Sequence, residues 1–195
     1  PGHTGPAATR NFGVRAARGR WVCFLDDDDS LEPDYFASAA PLIEAQPLAV
    51  HHFDHTLVLE SRADEFIELR RTRMHSEGRP ARALEVHNFI PNNAFFVPAA
   101  VAKLHGLDEQ LQSHEDWDHL IALSRVCEFV HHGLAGPNIH TSEEGSRNKD
   151  AKASNSIVLD YLSIYRKWPA SSEQVRLERR AALAGLGADM SPQFL

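Results

Sequence analysis

Apolar positions along the chain fall into short continuous runs ended by acids, helical stripes, and one charged stretch without a clear period. The run Trp21-Val-Cys-Phe-Leu25, with two aromatic residues and a β-branched one, predicts a buried strand. It leads straight into Asp26-Asp-Asp-Asp29, and four carboxylates cannot be buried unpaired, because desolvating even one charge is costly. The expectation is a strand central in a parallel sheet, whose carboxyl end delivers acids to a cleft. Ahead of it, Ala7 to Ala17 reads as a helix with Ala8, Phe12 and Ala16 on one face, ended by Gly19. Behind it, Leu31-Glu-Pro33 opens a helix to about Gln46, with Pro33 in the first turn where its missing N–H does no harm.

Leu48 to Leu59 predicts an extended segment with histidines among β-branched and aromatic residues. Residues 60 to 83 are charged and predict a surface excursion with a helical piece. A further strand falls within Val86 to Val97, clearest at Ala94-Phe-Phe-Val97. Pro98 then begins a short helix to His105, with Gly106 as its left-handed cap. After a polar link come the acids of His114-Glu-Asp-Trp-Asp118, a helix over Leu120 to Val126 and a strand over Val126 to His131. A polar loop, His140 to Arg147, follows Gly136-Pro137. The tail reads as two amphipathic helices, Ala151 to Trp168 and Ser171 to Leu186. Alternating helices and strands predict an α/β sandwich. A doubly wound domain usually opens on an apolar strand, and this chain opens on a turn and a helix, so the sheet is expected to lack its first strands.

Composition narrows the classes. The 195 residues are 43% hydrophobic and 24% charged, as in an ordinary globular domain with a sizeable core. A net charge of -7 argues against general attraction to nucleic acid or anionic membrane. No apolar run approaches the ~20 residues that cross a bilayer, so no transmembrane segment is expected. Cys23 and Cys127, in apolar runs, read as buried thiols of a reducing compartment. Clustered carboxylates invite a hard divalent cation such as Mg²⁺ or Mn²⁺. Among twelve histidines, His51, His52 and His55 lack a clear third zinc ligand and read as strand residues, solvated or packed, as do His131 and His132.

Two ordered motifs carry a resemblance. Asn11-Phe-Gly13, followed by Ala17-Arg-Gly-Arg-Trp-Val-Cys-Phe-Leu-Asp-Asp-Asp-Asp-Ser-Leu-Glu-Pro33, resembles the central segment of family-2 glycosyltransferases of the GT-A fold. Gly106-Leu-Asp-Glu109 with Glu115-Asp-Trp-Asp118 resembles that family's "G-x-D-E … E-D-x-D" stretch. The resemblance covers about Gly5 to Arg147 and implies a partial GT-A sandwich of the Rossmann-like nucleotide-diphospho-sugar transferase type. Residues 1–150 would form the core and 151–195 a helical extension packed on it. The implied activity is metal-dependent, inverting transfer of a sugar from a nucleotide-sugar donor to a carbohydrate or other hydroxyl acceptor.

Carried onto matching positions, Asp26 and Asp28 are metal ligands, with His140 as a late third ligand, and Mg²⁺ or Mn²⁺ as the cofactor. Asp27 falls near the donor ribose, and Arg10 and Arg147 are donor contacts. Thr9 stands where the family's Ala-Arg-Asn has alanine. Asp116 is the implied general base, and Glu115 orients it or the acceptor. The family's opening strand and its Asp-Gly-Ser-type segment do not precede these motifs, so a missing N-terminal segment or a homo-oligomer is expected, in the cytoplasm or at the inner face of the membrane. Two alternatives remain: a haloacid-dehalogenase-type phosphatase using Asp26 and Asp28, and a catalytically inactive glycosyltransferase-like binding domain.

Overall fold

The computed structural model describes residues 5–61, 67–76, 78–111, 113–142 and 156–195. In chain order these form α1 (Gly5–Ala16), β1 (Trp21–Val22), β2 (Ser30–Leu31), α2 (Tyr35–Glu44), β3 (Val50–Ser61), β4 (Ile67–Met74), β5 (Phe95–Pro98), α3 (Ala99–Leu104), α4 (Glu115–Ser124), β6 (Phe129–Ser142), α5 (Ser156–Lys167) and α6 (Glu173–Gly185). The strand order is β1-β5-β3-β6-β2, with β4 also on β3. The long β3 is the spine. It runs parallel to β6 and antiparallel to β5 and β4.

Alternation along the strands sends side chains to two cores. On one face Val50, Phe95 and Val97 meet α1, α3, α4, α5 and α6 around Trp117, Leu120, Ile164 and Leu183. On the other, Phe53 and Phe96 pack under α2 against Tyr35, Ala39 and Ile43. Arg179 of α6, fully buried, donates to the carbonyls of Glu85, Tyr165 and Trp168. It thereby satisfies chain ends that packing would otherwise leave without partners.

Several expectations are corrected. The strand at Trp21 is shorter than its apolar run, pairs antiparallel with β5, and lies at an edge of the described sheet. Beyond Val22 packing takes over from the ladder, with Phe24 set edge-on to Phe95. In α1 the buried face is Ala7, Asn11 and Val14, while Phe12 is 69% exposed. The i, i+4, i+7 stripe that wins includes an asparagine, because its amide is satisfied inside. Helix α2 begins at Tyr35, and Pro33 lies in the turn before it. Among its described residues the charged stretch holds β4, an exposed strand, and its helical piece is confined to a 3-10 turn that begins at Ala81. Gly106 is absent from the left-handed glycines, and its bareness has another cause: an added Cβ would lie 3.0 Å from Asn11 Oδ1. Strand β6 runs on through Gly136-Pro137 to Ser142, so His140 is a strand residue. Cys23 and Cys127 are half-buried and lie between elements.

Gly136 shows how closely α2 sits on the sheet, since a Cβ there would fall 1.8 Å from Tyr35 Cδ2. Gly136→Ala is expected to destabilise the fold by about 2–3 kcal/mol, measured as a lower urea midpoint at unchanged m-value.

Candidate active site

Three short pieces of chain meet at the end of β1. The first is α1. Asn11 donates through Nδ2 to Leu107 O (2.9 Å) and Glu109 Oε1 (2.8 Å) and accepts from Leu107 N (2.9 Å). This ties the Gly106–Glu109 loop to the helix and leaves Arg10, one residue back, facing the acids. Arg10 donates through Nη2 to Asp26 Oδ1 at 2.6 Å and through Nη1 to Glu115 Oε1. Burial opposes charge on Arg10, but Asp26 and Glu115 outweigh it and raise its pKa. One guanidinium therefore joins both predicted acid clusters.

The second piece is the aspartate turn. Asp27 and Asp28 are exposed in the turn. Asp26 engages Arg10 and Asn92 through Oδ1. Asp29 accepts from His140 N and Asn93 Nδ2, both at 2.9 Å. Burial, with Asp28 and Asp26 nearby, pushes Asp29 up to about 6, while the bond from the His140 amide pulls it back. His140 sits beside this turn on β6. Its Nε2 is 2.9 Å from Ser30 Oγ, and its Nδ1 meets the buried Glu60.

The third piece is the start of α4. His114 takes a left-handed conformation (φ 58°) as the helix N-cap, a strained position for a non-glycine residue, and turns the chain so that Glu115 and Asp116 face the cleft. Trp117 anchors the helix by donating Nε1–H to Leu84 O at 2.6 Å. Asp118 points the other way, accepting from Lys167 Nζ (2.8 Å) and Trp168 Nε1 (2.7 Å), so the end of α5 braces this helix. Asp116 is half-buried, with Oδ2 accepting from Asn88 Nδ2 at 3.0 Å and Oδ1 accepting from Trp117 N at 2.8 Å. Burial, then the adjacent Glu115, raises its pKa above the usual carboxylate range.

Sequence reasoning missed the segment Asn88-Phe-Ile-Pro-Asn-Asn93. Its three asparagines donate to Asp116, Asp26 and Asp29 in turn. Asn92 and Asn93 are buried, and the carbonyl oxygen of each has no partner among the described residues. The signal was available: three amides close together beside an apolar run, at spacings unsuited to a strand's alternation. Arg147 lies outside the described residues.

With this geometry in place, comparison with known proteins identifies the class. The profile described as "Glycosyl transferase family 2" matches residues 1–104. The chain belongs to that family. It is 27% identical over 146 residues to an uncharacterized glycosyltransferase of Haemophilus influenzae, covering 68% of this chain and 45% of that protein. It is 35% identical over 96 residues to the succinoglycan biosynthesis protein ExoO of Rhizobium meliloti, covering 47% of this chain and 25% of that protein. The chain thus spans less than half the length of these relatives. Among solved structures, residues 1–349 of S. aureus TarS in complex with UDP-GlcNAc superpose with a TM-score of 0.56 at 16% identity, over 92% of this chain and 52% of that one. The fold is accordingly a partial GT-A sandwich.

Removing the central cation should be felt in the fold. Arg10→Met leaves Asp26 and the buried Glu115 without their shared partner. It is expected to lower stability by about 2–4 kcal/mol, read by chemical denaturation. Arg10→Lys, which can satisfy only one acid well, should fall between the two.

Proposed function

We propose that the protein transfers a sugar from a nucleotide-diphosphate donor to an acceptor hydroxyl with inversion at the anomeric carbon, using Asp116 as general base. The observation that carries this is the Asp26–Arg10–Glu115 bridge. It sets the aspartate turn and the head of α4 on either side of one guanidinium. UDP-GlcNAc in the TarS complex supports a nucleotide-sugar donor, and family membership favours transfer over the phosphatase alternative.

The donor's diphosphate would lie at the aspartate turn. Among the described residues no three His, Cys, Asp or Glu side chains converge as a closed metal cage. That donor set fits Mg²⁺ or Mn²⁺, which takes one or two protein carboxylates and completes its octahedron with phosphate oxygens and water. Asp28 and Asp26 would hold it, with Asp27 towards the ribose. When bound, the ion would offset charge on the departing nucleoside diphosphate. His140 would have to exchange Ser30 for the metal to serve as a ligand.

On the acceptor side Asp116 takes the hydroxyl proton as that oxygen forms its bond to the anomeric carbon and the carbon–diphosphate bond breaks on the opposite face. A carboxylate with a raised pKa is a stronger base for this task, and Asn88 fixes its orientation. Glu115 pairs with Arg10, and its proximity contributes to the basicity of Asp116.

Asp116→Asn is expected to lower kcat by about 10²–10⁴-fold while leaving donor affinity near normal by calorimetry. Wild-type turnover in this variant would remove the assignment of the base, and donor binding without turnover in the unmutated protein would favour the binding-domain alternative.

The pH dependence has a definite sign. The base must be ionised, and the folded site holds its proton more tightly than a free aspartate does, so kcat/KM should rise through a pH above the ordinary carboxylate range. Asn88→Ala removes a donor to the ionised form and should move that limb to higher pH still.

A further inference from the structure

Beside the base lies an open cleft of about 310 Å³ lined by His55, Met74, His75, Arg79, Asn88, Phe89, Ile90 and Pro91. Asn88 belongs to both places: it lines the cleft and donates to Asp116. The cleft therefore begins one side chain away from the group assigned to deprotonate the acceptor. It lies on that side of the site, since Asn92 and Asn93, beyond Pro91, turn to the aspartates.

Its lining is chemically lopsided. Phe89, Met74, Ile90 and Pro91 supply an apolar wall of the kind on which a sugar ring can lay its C–H face. Burial pushes His55 down to about 4, so at neutral pH it is an uncharged hydrogen-bonding imidazole. Among the described residues no carboxylate lines the cleft. The nearby Asp54 is 1% exposed and already engaged by Arg73, His75, Ser76 N and His131.

Arg79 is exposed, stacks 5.5 Å from the Phe89 centroid, lies 3.4 Å from His87 Nε2, and makes no ion pair among the described residues. A guanidinium held over an aromatic wall without a counter-ion is suited to a two-oxygen anion from outside. The surrounding sequence points the same way. Residues 70 to 82 carry five arginines and one acid, in a chain of net charge -7.

We propose that this cleft is the acceptor subsite and that it selects an acceptor sugar bearing a negative charge, a phosphate or a carboxylate, bound by Arg79 with the ring against Phe89. The assignment of the cleft to the acceptor rests on the glycosyltransferase reading above. Phosphate and carboxylate share the recognising chemistry, and the test separates them.

The test titrates three probes that share one ring: glucose, glucuronate and glucose 6-phosphate. They are added to the protein expressed from its complete coding sequence, and the Asn88 side-chain amide and the Ile90 amide are followed by NMR at low salt. At least one charged probe is expected to bind about tenfold tighter than glucose, and the preferred one names the anion. Arg79→Gln, which keeps the stem over Phe89, should abolish the preference. Arg79→Lys should retain part of it. Equal affinities for all three, an unchanged preference in Arg79→Gln, or charged-probe shifts confined to the aspartate turn would each overturn the proposal. Transferase activity of the unmutated protein, assayed alongside, separates this result from the wider reading. A preference that persists in a protein with no transferase activity would sink the catalytic assignment and leave the charge-selective cleft standing. Transfer without the preference would do the reverse.

Discussion

Arg10 is the residue on which the arrangement turns. Two acid clusters would repel each other across a cleft, and each would resist burial alone. A single planar cation with donors aimed in two directions lets both face inward, at the cost of fixing their separation. Its position is in turn fixed by Asn11, whose amide sews α1 to the Gly106–Leu107 backbone. Bare glycine at 106 is what allows that approach. Thr9-Arg10-Asn11 is therefore a device for holding charge, with one residue joining the acids and its neighbour anchoring the helix that carries it.

A second layer of support comes from the tail. Lys167 and Trp168 end α5 against Asp118, Tyr165 donates its hydroxyl to Val86 O, and Arg179 collects three carbonyls. The contacts from Lys167, Trp168 and Tyr165 and one of the three from Arg179 reach α4 or residues 85–86, just ahead of Asn88, while the other two from Arg179 fasten the end of α5. Among the described residues the C-terminal helices make no hydrogen bond to the proposed reacting groups, yet they brace the two elements that carry the proposed base and Asn88.

Much of this could be read from the chain. The aspartate turn after an apolar run and the acids opening α4 were visible as patterns, because charge next to a buried element has few explanations. The helices α3, α5 and α6 and strand β5 were found where proline, periodicity or aromatic runs marked them. What escaped was set by tertiary pairing. The direction and edge position of β1, the continuation of β6 past a proline, and β4 all depend on strand partners that no local pattern names. Phe12 was assigned to the buried face that in fact includes Asn11, because hydrophobic periodicity cannot foresee an amide satisfied by a distant backbone. The Asn88–Asn93 segment was passed over because amides carry no charge, although their spacing set it apart from a strand.

That segment has one more consequence. Six residues, stiffened by Pro91 and a single 3-10 turn at Asn92–Ala94, span from the amide on Asp116 to the amides on the aspartate turn. The distance between the proposed base and the aspartate turn is thus set by a short covalent ruler. The charged hairpin and the cleft residues before it stand outside that ruler. Changes in β4 or around Arg79 can alter what enters the cleft while that distance stays the same, so on the proposed reading selection of the acceptor is separable from the chemistry.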